Sequence, residues 1–192
     1  MNHSVETPIL ETERLILRGW SDDDLAPFAQ MNADPNVMRH FPTTLSREES
    51  DHFASRIIAH FSSEGFGLWA VEIKSVAPFV GFIGLATTRF EAHFTPNVEI
   101  GWRLAADCWG NGYAPEGARA ALKFGFKSLD EIVSFTVPAN LASRRVMEKI
   151  GMTHDPTEDF EHPALPERDP LRRHVLYRLR REDWETNHAP KR

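Results

Sequence analysis

The densest chemistry in the sequence lies between residues 98 and 126, VEIGWRLAADCWGNGYAPEGARAALKFGF. A strand-like run carrying one carboxylate, Glu99, leads into a glycine-rich turn, and a helix of small residues follows. Such a junction builds an anion site. The first N–H groups of a helix lack backbone partners, and its dipole adds about half a positive charge at that end. Gly110 and Gly112 have no Cβ, so an oxyanion can come close to the backbone. Pro115 suits the first helical turn, where its missing N–H costs nothing. Ala114, Gly117, Ala118, Ala121 and Gly125 form a small-residue face that lets the helix lie near a sheet. The expected ligand is a phosphate or pyrophosphate. The plain alternative is a helix cap with two loop glycines.

The two familiar phosphate loops do not fit. The nucleotide-triphosphate loop needs G-x-x-x-x-G-K-[ST], and the lysine and hydroxyl are absent. The dinucleotide fingerprint needs a third glycine where this chain has Pro115. The nine histidines and the single cysteine give neither an H-E-x-x-H pattern nor paired Cys/His spacing, so no metal is expected. Cys108 stands before the loop and reads as an inert thiol rather than a nucleophile.

Several elements must position this junction. ERLILR (13–18) alternates as a first strand, and residues 1–12 read as a loose lead-in. Ser21 is an N-cap candidate, with Asp22–Asp24 in the first turn of a helix. SREE (46–49) is a capping box, after which Phe53, Ile57, Ile58 and Phe61 fall on one helical face. GLWAVEI (67–73) and FVGFIGLATT (79–88) are strands joined by a KSVAP turn, and NVEIGWRL (97–104) is the next. EIVSFTV (131–137) is a strand, Asn140 to Ile150 a helix, and HVLYRLR (174–180) the last strand. Residues 155–172, rich in proline and charge, read as a loop, and the tail after Trp184 as frayed. The order β-α-α-β-β-β-α-β-α-β-β implies an α/β fold with a mixed sheet, helices on both faces and an antiparallel central meander.

Composition sets outer bounds. The chain has 192 residues, fitting one domain, with 41% hydrophobic and 26% charged residues. A net charge of -6 offers no broad attraction to nucleic acid or to an anionic membrane. One cysteine permits no internal disulfide, the N-terminus has no signal-peptide core, and no apolar run nears the roughly 20 residues of a membrane span. A cytoplasmic location is the expectation.

WGNGYAPEGARAALKFGF resembles the acetyl-coenzyme A loop of the GNAT superfamily of N-acetyltransferases, R/Q-x-x-G-x-G/A, with Trp109, Gly112 and Ala114 at its first, fourth and sixth places. Tryptophan at the first place departs from the superfamily pattern, but is usual in the branch of ribosomal-protein N-terminal acetyltransferases, the RimJ/RimL type. TERLILR (12–18), VEIGWRL (98–104) and NLASRRVMEKIGM (140–152) resemble other segments of that branch, Met152 replacing its usual aromatic residue. The resemblance covers about 12–182 and implies one N-acetyltransferase domain over 1–192, with a GNAT-type, mostly antiparallel central sheet flanked by helices on both faces.

The resemblance also implies a reaction: direct attack of a primary amine on acetyl-coenzyme A, a co-substrate, with no metal. Trp109, Gly110, Asn111, Gly112, Tyr113 and Ala114 would hold the pyrophosphate through backbone N–H groups. Trp102, Arg103 and Leu104 would lie beside the pantetheine arm, with an N–H near Trp102 stabilising charge on the thioester oxygen. Glu99 is the candidate base, unless it faces solvent or pairs with a cation. Ser143 is the candidate acid for the leaving thiolate, or else a capping hydroxyl. Asn140 would hold a pantetheine amide, cap its helix, or do both. Phe66, Trp69, Phe79 and Phe82 would line a substrate groove or sit in the core, and loop 155–172 and helix 46–61 are the expected substrate contacts. The acceptor would be a protein N-terminus or small amino compound, with no nucleic-acid or membrane partner. Many relatives pair as homodimers, and that stays open here. The alternative from another class is a non-catalytic acyl-coenzyme A sensor or scaffold.

Overall fold

The computed structural model describes residues 7–188. Alternation builds the first strands. β1 (Leu10–Glu11) lies antiparallel to β2 (Leu15–Arg18), with Leu10 opposite Leu17. Leu15 and Leu17 are fully buried, each contributing about 1.5–3 kcal/mol. The segment expected as a loose lead-in therefore already pairs at residue 10, while residues 1–6 lie outside the described residues.

A short turn at 22–24 leads into α1 (Leu25–Ala33), and α2 (Pro35–Met38) and α3 (Arg47–Glu64) follow. Ser21 marks the start as expected, but its backbone N and its hydroxyl both donate to Asp24 Oδ2, at 2.8 and 3.1 Å. Arg18 holds the same carboxylate through Nη1 at 2.8 Å and Nη2 at 2.9 Å, which buries Asp24. Asp24 is thus a structural anchor, while Asp22 and Asp23 stay exposed. The capping box forms at α3: Glu49 N donates to Ser46 Oγ at 3.2 Å, and Ser46 N to Glu49 Oε2 at 2.7 Å. Ile57 and Phe61 are buried there, but Ile58, one residue off the stripe, is 47% exposed.

β3 (Leu68–Ile73), β4 (Gly81–Thr87) and β5 (Val98–Leu104) form the expected antiparallel meander. The remaining elements are α4 (Tyr113–Gly125), β6 (Glu131–Thr136), α5 (Leu141–Lys149), β7 (Thr153–His154), β8 (Phe160–Glu161), β9 (Arg173–Arg180) and α6 (Arg181–His188). One sheet runs β1-β2-β3-β4-β5-β6-β9-β7, and β8 also pairs with β9. Every pairing is antiparallel except β5 with β6. The expected loop 155–172 thus carries a short strand. The tail continues as helix to His188 rather than fraying after Trp184, and residues 189–192 lie outside the described residues.

Strand alternation separates the two faces. Phe82 of β4 meets Phe28 of α1 and Phe53 of α3, at 6.1 and 5.9 Å between ring centroids. Its neighbours Ile83 and Leu85 point the other way, under α4. A Cβ on Gly117 would stand 2.5 Å from Ile83 Cδ1, and one on Gly125 2.8 Å from Leu85 Cδ1. The small-residue face lets α4 settle onto the sheet at a distance no larger residue allows. Trp69 and Phe82 are core residues, and Phe66 and Phe79 are half-buried against the core. Among the described residues no helix is long and apolar enough to cross a membrane.

Candidate active site

The parallel pair β5–β6 shares one register position, Glu99 opposite Val133. Ser134 Oγ prolongs the contact by donating to Ile100 O at 2.8 Å. Past that point no strand among the described residues lies along this edge of β5, whereas its other edge is paired with β4 from Val98 to Leu104. A cavity of about 700 Å³ opens between Gly101–Leu104 on one side and Ser134–Thr136 on the other. The segment around Phe41, the loop residues His162, Leu165 and Leu171, and His174 of β9 close it.

At one end of the cavity stands the turn into α4. Gly110 and Gly112 have φ of 80° and 81°, left-handed conformations that glycine adopts without strain, and Gly112 is the N-cap. The turn is braced from outside. Trp109 Nε1 donates to Leu104 O at 2.8 Å, and Arg14 Nη1 donates to Asn111 O at 2.9 Å. Arg14 also donates from Nε to Glu116 Oε2 at 2.7 Å and from its backbone N to Glu116 Oε1 at 3.0 Å, while its guanidinium lies 4.8 Å from the Tyr113 ring centroid. Burial opposes the Glu116 carboxylate, but hydrogen bonds from Thr12 and Arg14 outweigh it and hold its pKa below the ordinary range. The helix thus keeps its N-terminal N–H groups free while its first-turn acid is already neutralised.

Glu99 lies on the cavity wall further along β5. It makes no hydrogen bond or ion pair among the described residues, so no neighbouring cation accounts for it, and it is half-buried on the cavity wall. Burial pushes its carboxyl up to about 8. Ser143, in the first turn of α5, also lines the cavity, and its hydroxyl has no partner among the described residues. The cap there is Asn140, whose Oδ1 accepts from Ser143 N at 3.2 Å and whose Nδ2 donates to Thr136 Oγ1 at 3.0 Å. Each atom of that amide keeps one further bonding site.

The cavity gathers Glu99, Trp102, Arg103, Leu104, Trp109, Gly110, Gly112, Tyr113, Ala114, Asn140 and Ser143. Asn111 is not on its wall: the side chain folds back on its own turn, Nδ2 donating to Cys108 O and Trp109 O at 3.3 and 3.2 Å. The Arg103 side chain turns from the open edge towards α1 and α3, where its guanidinium meets Asn32 and Phe53, and it lines the cavity from the face of β5 that carries Glu99. The 46–61 helix, expected to touch substrate, contributes no wall residue, and the segment around Phe41 takes that place. Cys108 lines the cavity, but burial and Asp107 push its thiol up to about 11, which keeps it protonated. Tyr177 is buried and donates to Glu148 Oε1 at 3.2 Å.

Several contributors had no signal of their own. Arg14 is an ordinary strand-flanking cation in the sequence, and Ser134 sits in an ordinary strand. His162 and His174, 5.1 Å apart between ring centroids, are brought together only by β8 pairing with β9. Burial holds both imidazoles below their ordinary pKa. Among the described residues no group of three or more His, Cys, Asp or Glu could hold a metal ion.

The acetyltransferase (GNAT) domain model matches residues 14–153. The uncharacterised protein YkkB of Bacillus subtilis is 34% identical over 151 residues, covering 77% of this chain and 87% of its own. FsC-acetyl coenzyme A-N(2)-transacetylase of Aspergillus fumigatus is 32% identical over 190 residues, covering 92% and 78%. Mycobacterium smegmatis RimJ, solved in complex with CoA-disulfide, superposes with a TM-score of 0.74 over 93% of this chain and 90% of that one, at 18% identity. That last likeness is one of fold. The chain belongs to the GNAT family of acetyltransferases and has its mixed, mostly antiparallel sheet between helices.

Proposed function

We propose that residues of about 12–182 act as one catalytic domain that moves an acetyl group from acetyl-coenzyme A to a primary amine of a small amino compound or a protein N-terminus. One observation carries the reading. An unpaired carboxylate of raised pKa shares a cavity with a braced, positive-φ glycine turn at a helix N-terminus. The turn at 109–114 binds the pyrophosphate with backbone N–H groups and the helix dipole. The open edge of β5 offers its backbone to the pantetheine arm as a neighbouring strand would. Arg145 and Lys149, one turn apart on α5, add positive charge to the cavity wall for the coenzyme's remaining phosphate.

The amine nitrogen bonds to the thioester carbon and the carbon–sulfur bond breaks. Glu99 takes the proton that the amine must lose. A base of pKa about 8 is well matched to ammonium groups of pKa about 8–10: about a tenth of it is ionised at pH 7 and about half at pH 8, and the ionised form is strongly basic. The free hydroxyl of Ser143 supplies a proton or hydrogen bond to the departing sulfur. The Aspergillus relative is named as an acetyl coenzyme A-N(2)-transacetylase, which supports a nitrogen acceptor as the class to try.

Release of free thiol from acetyl-coenzyme A tests this, measured over N-terminal peptides, amino acids, polyamines and amino-sugars. Turnover with one class above hydrolysis identifies the acceptor. Tight acetyl-coenzyme A binding with no turnover anywhere would replace this reading with that of a non-catalytic binder.

A further inference from the structure

Glu99, Gly101 and Arg103 share one face of β5, because alternate residues of a strand point the same way. It is the face of Phe82, which lies directly opposite Arg103, and so the face away from α4. Arg103 has no carboxylate partner among the described residues. Nη1 donates to Asn32 Oδ1 at 2.7 Å, and Nε is buried without a hydrogen bond. The guanidinium lies 4.2 Å from the Phe41 ring centroid and 5.5 Å from those of Phe53 and Phe82. A buried cation lacking a counter-ion is costly, and packing among three rings would be served as well by an apolar side chain. Guanidinium carries five donors in a fork that fits a carboxylate, and most of them are unused here. Arg103 also lines the cavity that holds Glu99.

Position decides which anion answers it. The pyrophosphate turn belongs to α4, on the opposite face of the sheet. The base belongs to Arg103's own face. Four residue steps along the strand separate Glu99 from Arg103, about 13 Å between Cα atoms before the side chains shorten the gap. Gly101 between them adds no side chain, and a Cβ there would meet nothing nearer than Glu99 Oε1 at 3.8 Å. A small acceptor with an amine at one end and an anion at the other fits that open strip.

Building on the acetyl-transfer reading above, we propose that Arg103 is a specificity-determining residue that holds the carboxylate of a small amino carboxylate while its amine lies at Glu99. The test compares kcat/KM for amino carboxylates of increasing length with kcat/KM for alkylamines of matched length, in the wild type, Arg103→Met and Arg103→Lys. The wild type is expected to favour the amino carboxylate by about 30-fold or more, in line with a charge-assisted pair. The preference should fall to within about threefold in Arg103→Met and to an intermediate value in Arg103→Lys, which keeps the charge but loses the fork. A purely structural arginine would lower both substrates together and leave their ratio unchanged. An unchanged ratio in both variants, or no preference in the wild type, overturns the proposal. If neither substrate series is acetylated, the acetyl-transfer reading fails separately. The melting temperature with coenzyme A present then decides: a rise with 6-aminohexanoate that Arg103→Met abolishes supports the anion site, and no rise overturns it.

Discussion

The two ends of the cavity handle charge in opposite ways. Around the turn at 109–114, the charges that shape it are matched: Arg14 meets Glu116 and the carbonyl of Asn111, and Glu116 is held below the ordinary carboxylate pKa. Along the face of β5 that carries Glu99 and Arg103, neither group meets an opposite charge among the described residues. Burial raises one to about 8 and lowers the other to about 10. The first end is preorganised, so it can receive a ligand with little rearrangement. The second is under electrostatic tension that a substrate relieves. On the proposed reading, residues that hold the backbone in shape belong to the braced end, and residues that would exchange protons or select substrate belong to the tense one.

Glu99→Gln should separate the ends most sharply. We expect kcat to fall by about 100-fold or more, while affinity for acetyl-coenzyme A, read by calorimetry, changes far less. A loss within threefold would remove Glu99 from the base role. In the wild type, kcat/KM for the amine should climb through pH about 8 and then level as Glu99 ionises, a rise the variant lacks. Stability should move the other way. The folded carboxyl has a raised pKa, so its favourable contribution is complete below the unfolded value and is lost as pH rises towards about 8. Glutamine carries no such burden, so the variant should gain stability on the wild type between pH 5 and 8, by up to about 1.4 kcal/mol per pH unit, read as a relative rise in melting temperature.

Next comes Gly112→Val, at the braced end. A β-branched residue at a φ of 81° costs about 1–3 kcal/mol, and the turn that receives the pyrophosphate should distort. The KM for acetyl-coenzyme A should rise about tenfold, with kcat falling less than KM rises. If kcat carries the whole effect instead, the two ends are not separable. The smallest effect is expected for Glu116→Gln, which breaks a partly exposed pair with Arg14. About 0.5–1 kcal/mol of stability should be lost, a fall in Tm of a few degrees in a chain of this length, seen by differential scanning calorimetry.

Local signals carried much of this into the sequence. The glycine-rich turn, the small-residue helix face and the Ser46 capping box each depend on neighbours within a few residues, and each formed where expected. The arrangement of the open edge was less legible. Pairing of β5 with β6 joins residues 34 apart, Glu99 with Val133, and nothing local says that the pairing stops after one position. The same limit hid Arg14, which acts on residues about a hundred positions away, and the aromatic box around Arg103. Phe41 was passed over because its segment carries no periodicity. Helix 46–61 was expected among the substrate contacts because variable segments carry specificity, and none of its residues stands on the cavity wall.

That single rung between β5 and β6 has a consequence for rigidity. The one sheet is sewn from two halves, β1 to β5 and β6 to β9, with one register pair and the Ser134–Ile100 bond as stitches between them. A molecule laid along the open edge would act as the missing thread. Occupancy of the cleft should therefore be felt as slower amide hydrogen exchange in β5 and β6 on both sides of the seam, well away from any atom that changes bonds.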